Sequence, residues 1–188
     1  MPRMKSGDIT GLLQRWHDGD KAAESALVER LYPELVVIAR THLRSSRQKM
    51  TLRATELVSE LYIRLSDQRL PFDNRRHFFA MAGAITRRVL VDLLRAREAE
   101  KRGRFVEHVE LHPGGDAELL PAGTLLDVLA LDEALTVLEQ RDAIAAKVVV
   151  LRYFGGLNND EVAAELGVGV ATVVRRWQFA RAWLLQHL

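Results

Sequence analysis

The side chains able to do chemistry in this chain are arginines and hydroxyls rather than nucleophiles with a base beside them. Arg75, Arg76, Arg87, Arg88, Arg95 and Arg97 fall on one side of a long helical pattern. Phe78, Phe79, Met81, Ala82, Ile85, Val89, Leu90, Leu93 and Leu94 form its apolar side. A row of guanidiniums on one helix face suits a polyanionic backbone. A second cluster lies near the C-terminus, where Ala171, Thr172, Val174, Arg175, Arg176 and Gln178 front a short helical pattern. Arg175 and Arg176 have the donors for phosphate or for guanine edges. The chain lacks Cys, which excludes disulfides and thiolate metal sites, and its six His show no metal-ligand spacing. No phosphate-binding glycine loop and no nucleophile–base spacing occurs. Neither an enzyme, nor a metal, nor a cofactor is expected, and Asp92 and Glu60 read as structural or interface residues.

The C-terminal cluster sits in a helix-turn-helix pattern running from Leu157 to Trp177. Asn159 is expected to cap its first helix, with Asp160 and Glu161 in the first turn. Val162, Ala163 and Leu166 should face inward, and Gly167 supplies the positive φ of the turn. Val168, Val173 and Trp177 pack the second helix back, leaving the Arg-bearing front exposed to a major groove.

The remaining elements also read as helices. Leu, Ala, Arg and Glu dominate, and strand-forming runs are scarce, so the fold class is all-α. A first helix is expected over about residues 8–16, stopped by Asp18-Gly19-Asp20. A second spans about 21–43, kinked or split at Pro33. The basic run 44–49 is a loop. A third helix opens on "MTLRATELVSELYIRL" (residues 50–65), a front that carries Arg and Thr where acids would be favoured. A turn at 69–74 leads into the Arg-rich helix, which Gly103 ends. Two further helices are expected over about 125–139 and 142–153, the latter ended by Phe154-Gly155-Gly156.

Charge is distributed in blocks. Residues 1–104 hold 21 Lys and Arg against 13 Asp and Glu, residues 105–142 hold 1 against 9, and residues 143–188 hold 5 against 3. Two small helical modules joined by a flexible acidic linker follow, with boundaries at 5–104, 105–124 and 125–188. If the modules pack together, the acids from Glu107 to Asp142 are expected to cover the basic amino-terminal part. No run of membrane length and no charged-then-apolar leader is seen, so a soluble cytoplasmic protein without membrane contact is expected.

Three segments in this order resemble the extracytoplasmic-function (ECF) sigma factors of bacterial RNA polymerase. "TELVSELYIRL" resembles their clamp-binding helix. "HFFAMAGAITRRVLVDLLRAR" resembles the promoter-melting helix, including an Asp-x-x-Arg at Asp92 and Arg95. "NNDEVAAELGVGVATVVRRWQFARAWL" resembles the helix-turn-helix. The resemblance implies a promoter-specificity subunit whose partners are core polymerase, through its clamp helices and flap, and promoter DNA. It implies minus-ten contacts from Phe72, Asn74, Arg75, Arg76, Arg87, Arg88 and Arg95. Phe72 would stack on a base or else lie in the core, and Phe78 and Phe79 read as core. Minus-thirty-five contacts would come from Ala171, Thr172, Val174, Arg175, Arg176 and Gln178. The alternative is a stand-alone helix-turn-helix regulator, which has no use for a melting surface.

Against the family's usual Asp-Ala-Glu-Asp, this chain has Arg53-Ala54-Thr55-Glu56, so two of three acids are missing and one is reversed. The polymerase-binding set is therefore Arg53, Thr55, Glu56, Ser59 and Glu60. Each charge pair lost at such an interface costs on the order of a few kcal/mol when partly desolvated. A phosphate brings about −1.5 to −2 charges and suits a helix N-terminus. The resemblance thus implies activation by a Ser/Thr protein kinase; the expected acceptor is Thr51, at a loop-to-helix junction flanked by Arg47, Lys49 and Arg53, with Thr55, which replaces an acid, second and Ser59 third. A factor that is weak by default has less need of an anti-sigma partner, and none is expected.

Overall fold

The computed structural model describes residues 6–42, 54–67, 72–100 and 128–188. The described residues form α-helices and no strand. Near the amino end are α1 (Ser6–His17), α2 (Lys21–His42), α3 (Ala54–Asp67) and α4 (Arg75–Glu100). Near the carboxyl end are α5 (Val128–Arg141), α6 (Ala143–Val149), a π-helical segment (Val150–Phe154), α7 (Asn159–Leu166) and α8 (Val170–Leu184). The expected loop at 44–49, the phosphate acceptor Thr51 and the linker 105–124 lie outside the described residues.

The apolar stripes expected from the spacing are the buried ones. Leu57, Leu61 and Leu65 of α3 meet Phe78, Phe79, Ile85, Val89 and Leu90 of α4 in one buried cluster with Leu13, Leu27 and Leu31. Burying each such side chain contributes about 1.5–3 kcal/mol. Two local differences have physical causes. Pro33 does not split α2, because buried Leu27, Leu31, Leu35 and Val36 hold both sides of it on the core. The helix expected over 142–153 begins with Asp142 as its cap, whose carboxylate accepts the Ala145 amide at 2.9 Å. It then widens into the π-helical turn before Gly155.

The two ends of the chain are packed on each other. α4 runs along the π-helical segment and also touches α5 and α7. The contact is backbone on backbone at one point. A Cβ on Gly83 would lie 2.7 Å from the Gly155 nitrogen and 2.8 Å from its Cα. A Cβ on Gly155 would lie 2.9 Å from the Phe79 carbonyl oxygen. Only glycine at both positions allows this approach.

Candidate nucleic-acid interface

In the helix-turn-helix, the residue that caps α7 is Asn158, one earlier than Asn159. Its side chain accepts the Glu161 amide at 2.9 Å, and the Glu161 carboxylate accepts the Asn158 amide at 2.9 Å. This reciprocal pair is a capping box, which the Asn-x-x-Glu spacing from residue 158 carries and the reading from residue 159 missed. Gly167 has φ 65°, as expected for the turn. Val162, Ala163, Val173 and Trp177 are buried, and Leu166 and Val168 half-buried. Ala171, Arg175, Arg176 and Gln178 are exposed on α8, with Thr172 and Val174 half-exposed beside them. Arg175 donates to the Thr172 hydroxyl at 3.4 Å. Arg176 is drawn back to Asp142 at 2.7 Å.

One residue that sequence reasoning left unassigned organises this end. Arg152 is 6% exposed, and its guanidinium lies 4.2 Å from the Trp177 ring centre. It ties the π-helical segment to α8. Only a charged residue inside an otherwise apolar run, Val148 to Phe154, signals it in the sequence.

The arginines of α4 meet carboxylates from both ends of the chain. Arg75 bonds Glu34 of α2 and, at 3.2 Å, Glu161 of α7. Arg76 bonds Glu165 of α7 at 2.9 Å. Arg87 donates to the Asp132 carboxylate of α5 at 2.7 Å, to its carbonyl at 3.0 Å and to the Thr136 hydroxyl at 3.2 Å. Arg95 stands 3.9 Å from the same Asp132. Arg88 is exposed and has no ion-pair partner among the described residues. Asp132 belongs to the acidic block, as the charge pattern anticipates, but Glu161 and Glu165 come from the helix-turn-helix itself.

At the start of α4, Phe72 is a core residue. It is 3% exposed, its ring stacked on Trp16 at 5.7 Å and set edge-on to Phe78 at 5.3 Å. Of the two readings open for it, this conformation has the core one, since apolar neighbours cover both faces. Phe78 and Phe79 are buried as expected. Asn74 caps α4, its side-chain oxygen accepting the His77 amide at 3.0 Å, which leaves its NH2 as the group able to meet a base. The Asp92 of the Asp-x-x-Arg accepts from Arg64 at 2.9 Å rather than from Arg95.

The front of α3 is open. Thr55, Glu56 and Ser59 are exposed, and Glu56 is the one acid of the first turn. Ile63, one turn beyond Ser59, is 52% exposed. Glu60 is half-buried and accepts from Arg64 at 2.9 Å. Arg53 lies outside the described residues.

Among the described residues no group of three or more His, Asp or Glu could hold a metal ion, and no helix is long and apolar enough to cross a membrane. A family model described as ECF sigma factor matches residues 6–188, and no curated protein matches the chain.

Proposed function

Because the chain belongs to the ECF sigma factor family, it is an RNA polymerase sigma factor whose partners are core polymerase and promoter DNA; we propose that phosphorylation at the front of α3 controls its docking on the polymerase. The amino-terminal module, residues 5–104, grips the clamp helices and the minus-ten element. The module over 125–188 reads the minus-thirty-five element and touches the flap, with residues 105–124 as connector. The observation that carries the control is the open face of α3. Thr55, Glu56, Ser59 and Ile63 form an exposed strip with a single carboxylate. An exposed large apolar residue inside a polar strip suits a protein partner. A strip that must meet cations on that partner with one acid is under-charged for the task.

A phosphate on Thr51, or on Thr55 or Ser59 in that order, supplies the missing charge and is favoured by the helix N-terminus. A Ser/Thr protein kinase is then the activating partner, and an anti-sigma factor is dispensable. Pull-down of core polymerase by kinase-treated and untreated protein tests this. Strong retention should appear only after phosphorylation and be lost in Thr51→Ala/Thr55→Ala. Equal retention of the untreated double variant would refute the control and leave the family membership standing.

A further inference from the structure

We infer that the free chain is held shut by a latch, the Gly83–Gly155 backbone contact ringed by arginine–carboxylate pairs, which ties up Arg75, Arg76 and Arg87 among the DNA-facing arginines of α4. Only the consequence for DNA rests on the sigma-factor reading; the latch itself does not. Three observations converge on it. First, Gly83 lies in the interior of α4, where glycine costs about 1 kcal/mol of helix stability against alanine. Nothing within α4 needs it: the atoms a Cβ would strike belong to Gly155 and Phe154. Second, Gly155 is the matching small residue. It follows the π-helical segment and is buried against the Phe79 carbonyl. A backbone-to-backbone fit has no rotamer to adjust, so it is either made or broken.

Third, the charges around this contact are paired across it. Asp132 of α5 holds Arg87 and Arg95, and Glu161 and Glu165 of α7 hold Arg75 and Arg76. The same arginines are the ones a nucleic-acid strand would need. Two of the covering acids sit on the first helix of the helix-turn-helix, so closure draws that module onto α4 while the front of α8 stays exposed. Several of these pairs are partly solvated, with Arg76 35% and Arg95 60% exposed at the side chain. Such pairs are screened by salt and open to competition from another polyanion. The latch is therefore releasable, and phosphate backbones compete for its cationic half.

The charge-neutral variant Gly83→Ala tests the latch in the full-length chain. Circular dichroism checks that α4 still forms, which the better helix propensity of alanine favours. Because the chain has no cysteine, spin labels at Ser25→Cys and Ala182→Cys report the separation of the two ends without background. The wild-type background should give one narrow distance and Gly83→Ala a broad, longer distribution. Affinity for fluorescein-labelled mixed-sequence single-stranded and duplex DNA should rise about tenfold if about a tenth of the wild-type chains are open. Asp132→Asn/Glu165→Gln gives the same opening by a second route. A broad wild-type distribution, or a narrow one retained in both variants, overturns the latch. Opened variants with unchanged DNA affinity overturn the masking. Core-polymerase pull-down on the same variants after kinase treatment shows separately whether the sigma-factor reading stands.

Discussion

Glu24 shows how a single side chain ties two helices together. Its carboxylate accepts the Tyr62 hydroxyl of α3 at 2.5 Å and the Lys21 ammonium at 3.0 Å. The Tyr62 hydrogen bond, then that from Lys21, holds the Glu24 pKa below the ordinary carboxylate value. A depressed folded-state pKa stabilises the fold above the unfolded value, and that stabilisation fades as the pH falls through the folded one. Glu24→Gln should therefore lower the urea midpoint at neutral pH and flatten its decline on acidification. Asn158→Ala removes half of the capping box and should cost about 1 kcal/mol in thermal unfolding, with Asn159→Ala costing less. The sequence contains both asparagines, and the choice between them depends on where α7 begins. Propensity leaves that boundary open by a residue or two. Gly167 was legible because only a positive φ explains a glycine between two apolar helical runs.

At the scale of the element, the helices were readable wherever an apolar stripe continued through them. α1, α3 and α4 carry such stripes, and those stripes are the core. The π-helical segment was not readable. Its widening follows from seating Arg152 against Trp177 and Gly155 against α4, both of which join residues far apart in the chain. Tertiary contact, not local preference, sets that turn. Arg152→Lys should thus be a poor substitute. An ammonium keeps the charge but not the planar stack on Trp177, and a desolvated cation–π contact contributes about 2 kcal/mol. A loss of that size in the unfolding free energy from urea titration would confirm the role, and an unchanged value would refute it. The turn between α7 and α8 gives a cleaner backbone test. Nothing lies within 4 Å of a Cβ on Gly167, so Gly167→Ala senses the left-handed conformation alone. It should cost about 1–2 kcal/mol, and Gly167→Asn should cost less.

For the whole molecule, the charge blocks of the sequence foretold attraction between an acidic middle and a basic front but not its geometry. A block sum cannot tell Asp132, which bridges Arg87 and Arg95, from Glu133, which is exposed beside it. Nor does it show Glu161 and Glu165 turning from the helix-turn-helix toward α4, because Glu161 serves equally well as a first-turn charge of α7 and Glu165 as a solvated surface charge. The same ambiguity hid the burial of Phe72, where an aromatic in a loop fits a base or a core equally well. Asp132→Asn resolves what the block sum could not. Arg87 keeps its bonds to the residue 132 carbonyl and to Thr136, so what is lost is its charged bond and the longer ion pair with Arg95. A charge-assisted bond of this kind contributes about 1.5–3 kcal/mol, and each 1.4 kcal/mol is about tenfold in an equilibrium constant. The ratio of open to closed chains should therefore rise by about tenfold or more, seen as a larger radius of gyration in small-angle scattering. Glu133→Asn removes the same charge from the same helix turn and should leave the radius unchanged. Matching expansion in both variants would mean that closure follows net charge alone, and that the Arg87–Asp132 geometry has no special part in it.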